Sequence, residues 1–172
     1  MKSSPEDKNQ IPLNNIEIER KYKVQISIDE INLTYHEVEI YQTYLTTQDD
    51  NIEERVRKII VNQEIKYVHT IKKPISDTER IEDEKTISEL EYNAFLKRKK
   101  PASHTIHKKR KTFNYKGQNF ELDTYVSPQL PFLILELEGV KNHQDIDFPP
   151  FIEVLEDVTG NKAYSNHSLS LK

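Results

Sequence analysis

Charge recurs along this chain at every second residue, and that spacing restricts the fold more than any other feature. In an extended strand, residues two apart point to the same face. Glu17, Glu19 and Lys21 therefore share one face of a first strand, while Ile16, Ile18 and Tyr22 take the other. Arg55 and Arg57 flank Val56, Glu121 and Asp123 flank Leu122, and Glu136 and Glu138 flank Leu137. Arg80, Glu82 and Glu84 share a face, as do Lys108 and Arg110. Runs rich in β-branched and aromatic residues predict eight strands, at about 16–25, 38–46, 52–61, 64–72, 78–87, 104–115, 118–126 and 132–139. Six of these eight carry a same-face charged set.

Such alternation in one strand describes any half-buried sheet with its charges in water. Eight strands without obvious edge protection favour closure, and in a closed sheet one face becomes a lumen. Either face can take that role, but the apolar one needs a cover, and helices outside the sheet would supply it. Ser88-Glu89-Leu90-Glu91 has the form of a capping box, with Leu90, Phe95 and Leu96 as an apolar stripe. That helix is expected to run to about Lys99 and to stop before Pro101. Two short helices are predicted over 151–158 and 162–171, separated by Gly160, and Lys116-Gly117 predicts a tight hairpin turn. The expected architecture is mainly β, a closed eight-stranded antiparallel barrel with a few flanking helices. Residues 1–14, polar and containing Pro5 and Pro12, read as a disordered leader or extension, and residues 15–172 as one domain.

Composition narrows the chemistry. A net charge of −4 argues against a general nucleic-acid binder, and the absence of cysteine removes thiolate nucleophiles, disulfides and Cys-based zinc sites. No apolar run reaches membrane-spanning length, so the expectation is a soluble cytoplasmic protein. The His residues lack zincin spacing, and no Gly-x-Ser-x-Gly elbow or Walker loop is present. The basic cluster of Lys97–Lys100 and Lys108–Lys111 reads as a solvated helix end plus one lumen strand.

A charged lumen is tolerable when acids face bases, water remains and ligands complete the pairing. Carboxylates at Glu17, Glu19, Asp123, Glu136 and Glu138 are hard oxygen donors suited to Mg²⁺ or Mn²⁺. Lys21, Arg55, Arg57, Lys72, Arg80, Lys108 and Arg110 suit a phosphate chain. Acid, base and enclosure together point to a metal–polyphosphate site.

The order of motifs carries a family resemblance. Glu17-Ile18-Glu19-Arg20-Lys21 is followed by Tyr41-Gln42-Thr43-Tyr44-Leu45, Arg55-Val56-Arg57, Thr70-Ile71-Lys72, Arg80-Ile81-Glu82-Asp83-Glu84 and Lys108-Lys109-Arg110. Then come Phe120-Glu121-Leu122-Asp123, Leu135-Glu136-Leu137-Glu138 and the stretch from Asp157 to Asn166. This series resembles the CYTH superfamily, the triphosphate tunnel metalloenzymes, and within it the compact bacterial tripolyphosphatase branch, over residues 16–171. The resemblance implies an eight-stranded tunnel with a C-terminal plug helix and a divalent-metal-dependent hydrolase splitting inorganic tripolyphosphate into pyrophosphate and phosphate. It implies Glu17, Glu19, Glu136 and Glu138 as metal ligands, Asp123 as a further ligand or water-orienting residue, and the cations above as phosphate contacts. Lys21, Tyr44, Glu136 and Glu138 are the implied catalytic set, and Lys162, in the plug motif, a further substrate contact. Tyr44 has two readings, a hydrogen bond to phosphate or Lys21, or a buried phenol satisfied by the fold. Glu82, Glu84 and Glu121 read as balancing charges for the arginines. Departures at Pro131-Phe132-Leu133, Ala163 and Lys111 leave both charged sets intact and bear on substrate preference. Nucleoside or thiamine triphosphatase, adenylate cyclase and a non-catalytic polyphosphate or organophosphate binder are the alternatives. The expected partner is a small triphosphate, with no nucleic acid or membrane, and a monomer or homodimer.

Overall fold

The computed structural model describes residues 16–27, 33–76, 79–140 and 145–172, without the side chains of residues 16–18. The expected leader at 1–14 lies outside them. The chain is mainly β, with one antiparallel sheet and few helices. In chain order the strands are β1 (Ile16–Ile26), β2 (His36–Tyr44), β3 (Glu53–Val61), β4 (Glu64–Pro74), β5 (Glu79–Ile87), β6 (Ile106–Tyr115), β7 (Gln118–Ser127), β8 (Leu133–Glu138) and β9 (Ile152–Asp157). Helix α1 (Glu89–Leu96) joins β5 to β6, and a 3₁₀ turn at Lys162–Tyr164 leads into α2 (Asn166–Leu169). The strand order is β5-β4-β3-β2-β6-β7-β8-β1-β9, and β1 pairs again with β5 over Ile16–Ile18. The far edge of β1 is thus shared, its start with β5 and its later half with β9.

Two hairpins set the register of the central strands. Lys116 and Gly117 both have positive φ (49° and 75°), the arrangement whose twist matches the flanking strands, and Tyr115 pairs with Gln118 across it. Asn62 and Gln63, at φ 49° and 69°, make the same kind of turn between β3 and β4. The alternating pattern survives intact because a one-residue slip would turn every charged side chain to the opposite face.

The apolar face is covered from outside, but not only by helices. The segment 151–158, expected as a helix, is the ninth strand; Val154 pairs with Val24 and Ile152 with Ile26. Its Glu-Val-Leu-Glu spacing reads as helical in isolation, yet the free edge of β1 offers a row of backbone hydrogen bonds that an isolated short helix could not match. Ile152 at the start of this strand, with Ile146, Phe148 and Phe151 just before it, packs against Tyr22, Val24, Phe113, Phe120, Leu122, Leu135 and Leu137, while the rest of the strand is exposed. The Phe113 and Phe120 rings stack at 5.4 Å, and Phe148 meets Tyr22 edge-on at 5.0 Å.

Helix α1 covers the other part. Its capping box is formed, with Glu91 N–H donating to Ser88 Oγ at 3.1 Å and Ser88 N–H to Glu91 Oε2 at 2.8 Å. The expected stripe is shifted: Leu90 is 81% exposed, and Tyr92 is buried with Phe95 and Leu96 against Leu45, Val56 and Ile87. Positions 92, 95 and 96 share one helical face, and Leu90, two residues from Tyr92, falls on the opposite side. Among the described residues no helix is long and apolar enough to cross a membrane.

Candidate active site

With the apolar face covered, the charged face encloses a cavity of about 870 Å³. Its wall includes Glu19 and Lys21 from β1, Tyr44 from β2, Arg55 and Arg57 from β3, and Lys72 from β4. Arg80 from β5, Lys108 and Arg110 from β6, Glu136 and Glu138 from β8, and Lys162 from the C-terminal segment stand there too, which leaves Glu17 and Asp123 of the expected set. The Glu17 side chain lies outside the described residues; its backbone pairs with Arg80. Register explains the convergence. Lys21 pairs with Glu136, Glu19 with Glu138, Arg110 with Asp123, Glu121 with Glu136 and Lys72 with Glu82, so that these strands set charged residues side by side on the cavity face.

One side of the cavity is acidic. Glu136 is buried; Lys21 Nζ lies 3.4 Å from its Oε1 and 3.5 Å from Glu19 Oε1. Burial opposes the charge on Glu136, but Lys21, Arg110, Lys108 and Lys72 together hold its carboxyl well below the usual range. Burial likewise pulls on Lys21, and Glu136 and Glu19 outweigh it and raise its pKa. The Lys21 ammonium, sited between the two carboxylates, is their internal counter-ion. Glu136 Oε1 has that ion pair but no hydrogen bond. Among the described residues no three carboxylates or imidazoles gather closely enough to hold an ion.

The other side is basic, and its charges are unequally offset: burial opposes the charge on Arg55 but Tyr44, Glu53 and Glu82 outweigh it, whereas Arg57 is left short. Arg57 Nη2 reaches Glu84 Oε2 at 2.6 Å, and Lys72 Nζ reaches Glu82 at 3.5 Å. Arg55 lies no closer than 3.8 Å to Glu82 and 4.0 Å to Glu53. The Nε atoms of both arginines are buried without a hydrogen bond in the protein. Burial, with Arg55 and Arg110 nearby, pulls the Arg57 guanidinium down to about 10, a sign that its charge is poorly offset. Buried donors left open in this way call for an anion.

Asp123, expected as a further ligand or water-orienting residue, is turned in this structure toward two cations. It is 0% exposed and stands behind the cavity wall. Lys108 Nζ donates to its Oδ2 at 2.7 Å, and Arg110 grips it in two places, at 2.7 and 2.8 Å. With both oxygens spent on cations, Asp123 orients Lys108 and Arg110. Burial opposes its charge, but Arg110 and Lys108 hold its carboxyl below the ordinary value. Lys108, facing one carboxylate and the Arg110 charge, is drawn by burial down to about 8.

Tyr44 is a buried phenol that accepts from Gln42 Nε2 at 2.6 Å. Burial raises its pKa far above the phenol range, so at neutral pH it is a neutral hydrogen-bond partner. Lys21 donates to the Tyr164 carbonyl at 3.5 Å and not to Tyr44. Glu121, read from the sequence as a balancing charge, lines the cavity with its Oε2 2.7 Å from Arg110 Nη1; burial pushes its carboxyl up to about 7 against that cation and with Glu136 and Glu138. Sequence reasoning missed Gln42, Asp50, Asn51, Glu53, Asn166 and His167 on the wall. Gln42 was findable, two residues from Tyr44 on one strand face. The α2 pair carries no alternation signal.

An antiparallel sheet that directs paired acids and bases onto one cavity defines a class of anion-handling fold. No family model matches the chain. It is 31% identical over 158 residues to the inorganic triphosphatase of Nitrosomonas europaea, covering 90% of this chain and 97% of that protein. The solved structure of the inorganic triphosphatase NE1496 superposes with a TM-score of 0.58 at 29% identity, over 91% of this chain and 95% of that one. PH1819 from Pyrococcus horikoshii shares the fold, with a TM-score of 0.55 at 22% identity, over 74% and 80% of the two chains. The chain belongs to the CYTH superfamily of triphosphate tunnel metalloenzymes.

Proposed function

We propose that this protein is a divalent-metal-dependent phosphoanhydride hydrolase that splits inorganic tripolyphosphate into phosphate and pyrophosphate. The observation that carries the reading is the division of one cavity into a basic wall with open, buried guanidinium donors and an acidic wall around Glu136. The relative that is an inorganic triphosphatase, similar along nearly its whole length, supports the choice of substrate. In this reading the β1–β5 pairing completes an eight-stranded tunnel, with β9 outside it.

Arg55, Arg57, Lys72, Arg80, Lys108, Arg110 and Lys162 bind the phosphate chain, and their fixed charges stabilise the transition state as negative charge moves to the leaving pyrophosphate. Asp123 keeps Lys108 and Arg110 aimed. The acidic wall fits a divalent cation in chemistry, since Glu136 Oε1 is a buried hard donor without a hydrogen bond. Glu19, Glu136 and Glu138, not gathered closely enough by themselves, would have to draw together with Glu17 to hold Mg²⁺ or Mn²⁺. Bound there, such an ion supplies Lewis-acid polarisation of phosphate oxygens and a more acidic water. Lys21 offers its ammonium to a phosphate oxygen when its carboxylate partners take another cation. Glu121 lines the cavity with one oxygen on Arg110 and its carboxyl poised near neutral pH, and in this reading it takes the proton of the attacking water as the terminal phosphorus–oxygen bond breaks.

Phosphate release from tripolyphosphate, ATP and thiamine triphosphate, each with and without Mg²⁺ and Mn²⁺, tests the reading. Metal-dependent release with tripolyphosphate preferred is the expected result. Preference for ATP or thiamine triphosphate would assign another triphosphatase, and tight binding without release would assign a binder. A pH prediction follows from Lys108. An anion binds the ammonium form, so tripolyphosphate affinity should fall above about pH 8 as Lys108 loses its proton. Titration calorimetry at stepped pH measures this, and Lys108→Met should flatten the profile.

A further inference from the structure

The C-terminal helix α2 places an imidazole in the cavity wall that no phosphate-binding strand supplies. His167 lines the cavity, and its Nε2 lies 2.8 Å from Lys100 Nζ. An ammonium is only a donor, so Nε2 accepts and the ring proton belongs on Nδ1. Among the described residues Nδ1 has no hydrogen-bond partner, and it is not a sealed orphan of the core. The groups around the ring are few: Lys100, the Tyr44 ring edge-on at 5.2 Å, and the charge of Glu53.

Both ends of this contact are anchored. Leu169 is fully buried against Tyr44, Ile106, Tyr125 and Ile134, and Ser165 caps α2 by accepting from Ser168 N–H at 3.1 Å. His104 N–H ties down the Ser170 carbonyl at 2.7 Å. On the other side, Lys100 N–H donates to the Tyr44 carbonyl at 2.9 Å, and Ser103 Oγ donates to the Lys100 carbonyl at 2.7 Å. Holding both backbones leaves the imidazole little freedom to turn away. Burial and the Lys100 charge lower its pKa, which keeps the ring neutral.

We propose that His167 contacts the triphosphate through Nδ1–H, as a neutral donor to a phosphate oxygen, and that Lys100 is a positioning residue that fixes this tautomer. The proposal rests on the triphosphatase reading. A neutral donor differs from the cationic wall in being directional, so it selects where along the chain an oxygen sits without adding to the general attraction for anions. It also makes α2 part of the site.

The test uses the full chain with tripolyphosphate. His167→Phe should raise KM by about tenfold or more, the loss expected for a hydrogen bond to a charged group, with a smaller effect on kcat. His167→Asn, whose amide N–H stands near the Nδ1 position, should restore most of that loss. Nitrogen-15 spectra of the histidine ring should show the proton on Nδ1, and that signal should shift when tripolyphosphate is added without metal. In Lys100→Met the ring is released from the neighbouring charge, so affinity should rise more steeply as the pH falls toward 6 than in the wild type or in the Lys100→Met/His167→Phe double variant, where Glu121 but not the imidazole gains a proton over that range. If the wild type neither binds nor hydrolyses tripolyphosphate, the underlying reading fails and takes this proposal with it. If it does both, and His167→Phe keeps the wild-type KM or the proton sits on Nε2, the proposal alone is overturned.

Discussion

Glu136→Gln should lower Mg²⁺-dependent tripolyphosphate hydrolysis by about 10²–10³, the scale seen when one well-placed electrostatic group is removed from a site. The substitution keeps volume and one carbonyl acceptor, and it deletes the charge that Lys21, Arg110, Lys108 and Lys72 stabilise. Because the folded pKa is depressed, the carboxylate is ionised throughout the working pH range, so the full effect appears at neutral pH. The direction of the split matters more than its size. Losing an anion from a cavity that binds an anion should leave KM for tripolyphosphate unchanged or lower, while kcat falls and the Mg²⁺ needed for half-maximal rate rises. A purely structural glutamate would behave otherwise, with a lower Tm and full activity in the fraction that remains folded. Steady-state kinetics over a Mg²⁺ series, beside a thermal melt, separates the two outcomes.

The largest stability effect should come from Asp123→Ala. The carboxylate is 0% exposed, and it is bonded to Lys108 and Arg110. Its removal leaves two cations facing each other in a buried wall, and breaking such a group costs about 3–5 kcal/mol. For a chain of this size that is a fall in Tm on the order of 10 °C. The pH dependence follows from the depressed folded pKa of Asp123. Its contribution is present above the unfolded value of about 4 and is lost as the pH falls through the lower folded value. Adding Lys108→Met to Asp123→Ala should recover part of the loss, since one of the stranded charges goes with it. Urea denaturation of the two single variants and the double variant closes the cycle. Additive losses would mean that the short contacts carry no coupling energy, and Asp123 would then have no role in holding the basic wall.

Most of the strand set was legible because alternation is a local property. All eight expected strands occur within a few residues of their predicted bounds, since β-branched and charged residues at period two leave a chain few other ways to bury its apolar half. The inward direction of the charges rested on an argument about cover. The cover proved to be partly Ile152 and the 146–151 segment before it, and the spacing of 151–158 misled because the decisive interaction, the open edge of β1, lies more than a hundred residues away. Leu90 misled for the opposite reason, a purely local error of helical phase.

The sequence by itself determined which residues carry charge on which strand face, because side-chain alternation needs no knowledge of neighbours. It also determined the two classes of group, carboxylates and cations, that would have to be reconciled in one place. Only the tertiary structure decided how they are reconciled: that Asp123 sits behind the wall while Glu136 faces the cavity, that Lys21 stands between two carboxylates, and that α2 brings His167 to the wall. Those assignments depend on strand register and on burial. Whether a charge is spent on a neighbour or left for a ligand is set by distances of a few ångströms between strands far apart in the chain.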